Sequence, residues 1–211
     1  MAEAGSLPLA LARLPSEPYG DLLRRVAAAA PRGAVDRFRL ELVAEREAWE
    51  RIWRAVASLG ADERRSAERV LGTRLDCVNL LRFLRLRTEH GLAPPELLAL
   101  AIRAGHRIGR QERALLAHEP PAEWARGLAH TPYAGALEAF DDPSAVETAL
   151  NHVVLAAAKR ELAGPPFRIG LVLAYLVLIE LQAGDLRRVL EGRRLGRSAE
   201  WVCSGLVSED A

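Results

Sequence analysis

The chain has 211 residues, enough to bury a core without disulfide or metal staples and, at roughly 150 residues per domain, to make one or two domains. Ala, Leu, Arg and Glu make up more than half of it, and all are strong helix formers, whereas aromatics are 5% and Val, Ile and Thr are sparse. This composition predicts an all-α fold and excludes a β-sandwich or barrel, while a formal net charge of +1 gives no overall pull toward nucleic acid or anionic lipid.

Glu3 stands where a signal peptide carries a base, and Arg13 closes the short apolar stretch, so export is not expected. The longest charge-free runs, such as Ile169 to Ile179, fall well short of the ~20 residues of a membrane span. Cys77 and Cys203 fit no metal or redox spacing and read as free thiols in a reducing compartment.

Pro8, Pro15, Pro18 and Pro31 leave room for one short early helix, about Pro18 to Ala30, with Ser16 near its start. Val35, Phe38, Leu42, Trp49, Ile52, Trp53, Val56 and Leu59 form the stripe of a long amphipathic helix from Ala34 to Leu59, with Gly60 expected at its C′ position. Asp62 is placed to cap the next helix, whose stripe runs through Ala67, Val70, Leu71, Val78, Leu81 and Leu84 and stops near Gly91. The short join predicts an antiparallel hairpin. Short helices follow: from Pro94 to Gly105, from Arg107 to Ala117, and from Glu123 to Leu128. His130 to Gly135 reads as a turn. Asp141-Asp142-Pro143 is a helix start, opening a helix with Val146, Leu150, Val153, Val154 and Ala157 on one face. After Gly164-Pro-Pro166 a long helix is expected from Phe167 to about Gly192. It is apolar nearly all round from Ile169 to Ile179 and is therefore expected to be the most buried element. Ser198 caps a last short helix through Trp201.

Asn79-Leu-Leu-Arg-Phe-Leu-Arg-Leu-Arg87 aligns with Asp185-Leu-Arg-Arg-Val-Leu-Glu-Gly-Arg193 at an offset of 106. Asn79 meets Asp185, Leu80 meets Leu186, and Leu84 meets Leu190. The repeated unit is a helical hairpin. It divides the chain into an N-terminal irregular or short-helix segment (1–35), a first helical unit (36–120) and a second (121–211).

Arg74-Leu-Asp-Cys-Val-Asn-Leu-Leu-Arg82 with Gly91-Leu-Ala-Pro-Pro95, then His130-Thr-Pro-Tyr-Ala-Gly135, then Ala158-Lys-Arg160, carry a resemblance. Ile169-Gly-Leu-Val-Leu-Ala-Tyr175, Asp185-Leu-Arg-Arg-Val-Leu190 and Gly192-Arg-Arg-Leu-Gly196 complete it. Over about residues 36 to 203 the chain resembles the C-type subunit of the V/A-type rotary ATPases (ATP synthases), a relative of the d-type subunit of eukaryotic vacuolar ATPases. The resemblance implies a funnel of three helical hairpin units seated on the membrane proteolipid ring and holding the foot of the central stalk. Two units are clear here, and the first forty residues are too short and Pro-rich for a third. The implied function is a non-catalytic adaptor for ATP-driven ion transport or ATP synthesis. Its implied place is cytoplasmic, peripheral to the membrane through protein contacts, with stalk and ring as partners. A general all-α interaction scaffold and a small all-α enzyme are the other readings.

Asn79 and Asp185 are read first as structural, each bonding a neighbouring helix end or loop backbone. Arg82, Arg85 and Arg87, with Arg187, Arg188, Arg193 and Arg194, are candidate partner-binding residues, because guanidinium forks suit carboxylates on a stalk or ring loop. Arg103, Arg107, Arg110 and Arg113 form a further set at helical spacing. None of these clusters is interleaved with aromatics as a nucleic-acid surface would be. His90, His106, His118, His130 and His152 show no zinc spacing, and no nucleotide, nucleophile or cofactor motif is present, so no cofactor is expected. Trp49 and Trp53 read as core, and Trp124 and Trp201 as exposed anchors.

Overall fold

Proline and glycine set the element boundaries. In the computed structural model, which describes residues 12–29 and 37–207, all regular structure among the described residues is helical. A π-helical turn (Ser16–Gly20) leads into α1 (Asp21–Ala29). α2 (Arg37–Ala57) is followed by α3 (Ala61–Ala67), which continues through a π-helical turn (Glu68–Gly72) into α4 (Thr73–Thr88). α5 (Pro94–Leu100), α6 (Arg110–His118) and α7 (Trp124–Gly127) are short. α8 (Pro143–Leu162), α9 (Ile169–Arg194) and α10 (Ala199–Cys203) complete the order. The expected boundaries at Ala30 and Ala34, and Val35 of the expected stripe, lie outside the described residues.

The chain forms two compact units, residues 1–52 and 53–211, with the boundary inside α2. In the first, Arg24 donates to the Leu14 carbonyl at 2.9 Å and pairs with Asp21 at 2.5 Å, and the Arg51 guanidinium lies 5.4 Å from the Tyr19 ring centroid. Trp49 in this unit and Trp53 in the second are both half-buried.

In the second unit α8 and α9 form a hairpin, and α4 packs on α8. The helix starts follow the chemistry read from the sequence. Asp142 accepts from the amides of Ser144 (2.9 Å) and Ala145 (3.1 Å) with Pro143 at the first helical position, and Ser198 accepts from Trp201 at 3.2 Å. Among the boundaries that differ, α6 begins at Arg110 rather than Arg107 and α9 runs Ile169–Arg194. Gly60 is the N-cap of α3 with φ −58°, so it is not a left-handed C′ residue; Asp62 sits in the first turn and pairs with Arg65. α5 stops at Leu100 rather than Gly105, because residues 102 to 107 are fastened to α4 by side chains described below.

The most apolar helix is not the most buried one. Hydropathy marks α9 as the most buried element, yet Gly170, Ala174, Val177 and Leu181 form a narrow buried edge while Val172, Tyr175, Leu176 and Ile179 are exposed. α9 is long and apolar enough by composition to cross a membrane, with 28% of its apolar window buried. The central helix is α4: Leu75, Leu80 and Leu84 have no exposure and Phe83 has 1%. Each such side chain contributes about 1.5–3 kcal/mol relative to an exposed one.

α3–α4 and α9 run parallel and in register. Glu63 accepts from the Ile169 amide at 2.6 Å, and Arg74 pairs with Glu180 at 2.7 Å; both contacts join positions 106 apart. Val56, Ala67 and Leu71 pack here with Leu59, Ile169 and Leu173. Gly170 is required at this crossing, since a Cβ would lie 2.0 Å from Ser66 Oγ.

Candidate functional site

Residues three apart on a helix share a face. Asp76, Asn79 and Arg82 therefore point to the same side of α4, and all three are buried. A buried polar group is costly unless it is bonded, so this face needs partners. The segment after α5 supplies them. Asn79 donates through Nδ2 to the Ile102 carbonyl at 2.9 Å and accepts from the Ile102 amide at 2.9 Å. Arg82 donates to the Leu100 carbonyl at 3.0 Å. Asp76 accepts from the amides of His106 (3.1 Å) and Arg107 (2.6 Å) and from the Tyr133 hydroxyl (2.7 Å).

Burial pushes the Asp76 carboxyl up to about 6, and the amide and Tyr133 bonds offset only part of that. Burial beside this carboxylate also raises the Tyr133 hydroxyl, so it remains a donor. Gly105 at φ +155° lets the loop approach; a Cβ there would lie 2.0 Å from Asp76 Oδ1.

The second copy of the motif is built alike. Asp185 accepts from the Val207 amide at 3.0 Å. Arg188, the counterpart of Arg82, donates to the carbonyls of Trp201 (2.9 Å) and Val202 (3.2 Å) and lies 4.2 Å from the Trp201 ring centroid. α4 and α9 end at Thr88 and Arg194, and each is followed by a left-handed glycine, Gly91 (φ +60°) and Gly196 (φ +62°). The copies differ in cover: Leu80 and Leu84 have no exposure, whereas Leu186 and Leu190 are 65% and 69% exposed.

A third lock joins α8 to α3 and the π-helical turn. Arg69 holds Glu161 through two bonds of 3.0 and 3.1 Å, and Ser66 donates to the same carboxylate. Burial raises the Glu161 carboxyl, but Arg69 and Ser66 outweigh it and hold it below the usual range.

The candidate arginines separate into two groups. Arg82 and Arg188 serve the clasps, Arg85 pairs with Glu147 at 2.5 Å, and Arg87 bonds the carbonyls of Ala117 and His118 at the end of α6. Arg187, Arg193 and Arg194 are exposed near the end of α9. The set Arg103, Arg107, Arg110 and Arg113 does not share one helix, because α6 begins at Arg110. Trp124, expected as an exposed anchor, is fully buried with its indole donating to the Glu119 carbonyl at 3.0 Å; Trp201 is 37% exposed. Cys77 is buried and Cys203 exposed, and both are free. Among the described residues, no group of three or more His, Cys, Asp or Glu is placed to hold a metal ion. Sequence reading passed over Asp76, Tyr133 and Glu161. The available signal was the i, i+3, i+6 spacing that puts Asp76, Asn79 and Arg82 on one face of the helix.

The family model described as ATP synthase (C/AC39) subunit matches residues 1–202 of the chain. No curated protein matches it.

Proposed function

Because the chain belongs to the ATP synthase (C/AC39) subunit family, whose members are structural subunits of rotary ATPases, we propose that it couples the central stalk to the membrane proteolipid ring. The family match over residues 1–202 carries this reading. Its work is mechanical: it passes torque between a turning shaft and the ring and performs no bond chemistry of its own.

The packing suits that work. Parallel helices α3–α4 and α9 are tied by Glu63 to the Ile169 amide, by Arg74 with Glu180, and through α8 by Arg69 with Glu161. Interiors packed at crystal-like density deform little, so a load applied at one end reaches the other. Segments 36–120 and 121–211 act as two copies of one hairpin unit, and the paired clasps at Asn79 and Asp185 support that division. Arg187, Arg193 and Arg194 offer unclasped guanidinium groups for acidic loops of a partner, with the chain peripheral to the cytoplasmic face of the membrane.

The test is reconstitution with the stalk and ring subunits of the same cells. The expected result is a stalk–chain–ring complex, and ATP hydrolysis that no longer drives ion transport when the chain is left out. A chain that captures neither stalk nor ring is a general scaffold, and the proposal fails. Turnover of a substrate by the purified chain alone also overturns it.

A further inference from the structure

A cavity of about 490 Å³ opens between the π-helical turn before α4, the loop after α5, the turn that carries His130 and Pro132, and the second half of α8. That volume falls among small-molecule sites (~300–1,000 Å³), and the walls are basic. Arg69, Arg107 and Arg160 line it with His106 and His130, against a single carboxylate, Glu161.

The fold uses only part of this charge. Glu161 is taken by Arg69, at 3.0 and 3.1 Å, and by the Ser66 hydroxyl. Arg160 donates from Nε to the Ala156 carbonyl of its own helix at 3.1 Å, and neither Arg160 nor Arg107 meets a carboxylate among the described residues. Each guanidinium keeps unused donors at the cavity wall. Like charges gathered in one cleft focus a positive potential there.

The backbone that carries these donors is fixed from behind. The amides of His106 and Arg107 donate to the buried Asp76 carboxylate at 3.1 and 2.6 Å. This loop rests directly on the π-helical turn, where a Cβ on Gly72 would lie 2.8 Å from His106 Cβ. The Arg69–Glu161 pair ties the same turn to α8, which carries Arg160. Both walls are therefore set before any ligand arrives, which lowers the ordering cost of binding. Burial, together with Arg107 and Arg69, outweighs Glu68 and holds the His106 imidazole below its ordinary range, so at neutral pH the ring is an uncharged N–H donor.

The charge left over selects the ligand. Guanidinium forks match the paired oxygens of phosphate and carboxylate alike. Two arginines without an acid call for close to two negative charges on one small group, which a phosphate supplies and a single aspartate or glutamate side chain does not. No aromatic ring lines the cavity, so nothing there stacks on a base, and the phosphate itself is the recognised part.

We propose that this cleft is a binding site for a small phosphate-bearing anion, held by Arg107 and Arg160 with the His106 imidazole as a further donor.

Titration calorimetry of the full chain with inorganic pyrophosphate, at constant ionic strength, tests this, and one saturable site is expected. Arg107→Ser and Arg160→Ser are each expected to raise the dissociation constant about tenfold. Arg126→Ser, which removes the same charge outside the cleft at a side chain 84% exposed, is expected to leave it unchanged. Thermal melts without ligand show that the variants fold. A second measurement needs no variant: in proton spectra of the wild-type chain the His106 and His130 ring signals are expected to shift with pyrophosphate, and those of His90 and His152 are not. Phosphatidylcholine vesicles with and without phosphatidic acid separate the two sources of such a group. Sedimentation with the phosphatidic acid vesicles that pyrophosphate reverses assigns the site to a lipid headgroup, and its absence assigns the site to a soluble anion. A chain that shows no saturable binding overturns the proposal, as does binding that Arg126→Ser weakens as much as Arg107→Ser. Tighter binding of a hexaglutamate peptide than of pyrophosphate also overturns it, in favour of an acidic protein segment. None of these outcomes bears on the family or the coupling role, which the reconstitution tests separately.

Discussion

Replacing Asn79 by Ala removes two hydrogen bonds at once, the Ile102 amide into Oδ1 and Nδ2 onto the Ile102 carbonyl, both 2.9 Å. Asn79 has no exposure, so water does not readily replace it. Each buried backbone group left unpaired costs about 1–3 kcal/mol, so the two together give a loss of about 2–6 kcal/mol. The counterpart Asp185→Ala releases the Val207 amide from its 3.0 Å bond at a position 9% exposed, which gives about 1–2 kcal/mol. Asp185→Asn keeps an acceptor there and is expected to lie within about 1 kcal/mol of the wild type. Asn79→Asp keeps the acceptor but sets a second oxygen against the Ile102 carbonyl, so it is expected to resemble Asn79→Ala. Urea unfolding of the four variants, followed by far-UV circular dichroism at constant slope, reads these differences as midpoint shifts. The reasoning is refuted if Asn79→Ala costs less than Asp185→Ala, or if Asp185→Asn is as damaging as Asp185→Ala. Either result means that the bonds are exchanged for water and that the polar residues are not clasps.

Asp76 is held near 6, above its ordinary 3.8, so the folded chain binds the proton more tightly than the unfolded one. Its contribution to stability is fully present below pH ~4 and is lost as pH rises through about 6, amounting to about 3 kcal/mol; Asp76→Asn is expected to flatten that decline in a pH series of urea midpoints. Glu161 is shifted the other way, so its contribution is present at neutral pH and lost on acidification, and Glu161→Gln is expected to weaken the acid limb of the same series. Gly170→Ala forces a methyl within 2.0 Å of Ser66 Oγ and is expected to cost about 1–3 kcal/mol, whereas Gly184→Ala meets open space and is expected to be neutral or slightly stabilising in thermal melts. Arg187→Glu, Arg193→Glu and Arg194→Glu together are expected to leave stability within about 0.5 kcal/mol while reducing capture of the stalk or ring proteins in pull-downs.

Much of this architecture is determined locally and is therefore legible without coordinates. Alanine and leucine make helices through the chain's own backbone, and Asp142-Pro143 and Ser198 start helices by bonding amides two or three residues away. The kinship of Asn79 and Asp185 is visible because a repeated unit repeats its fastening points. The fate of a surface is different, because burial depends on what lies opposite it. Hydropathy marks Ile169 to Ile179 as the most apolar stretch, yet the centre of the fold is α4, which carries Asp76, Asn79 and Arg82. Those polar groups lower its apolar signal, and only the loop and turn that receive their bonds make their burial tolerable. Likewise Leu80 and Leu186 occupy equivalent places in equivalent motifs, but α8 closes over the first copy and nothing in the chain's described residues closes over the second. Residue type sets the free energy available from burial; the neighbouring helices decide whether it is realised.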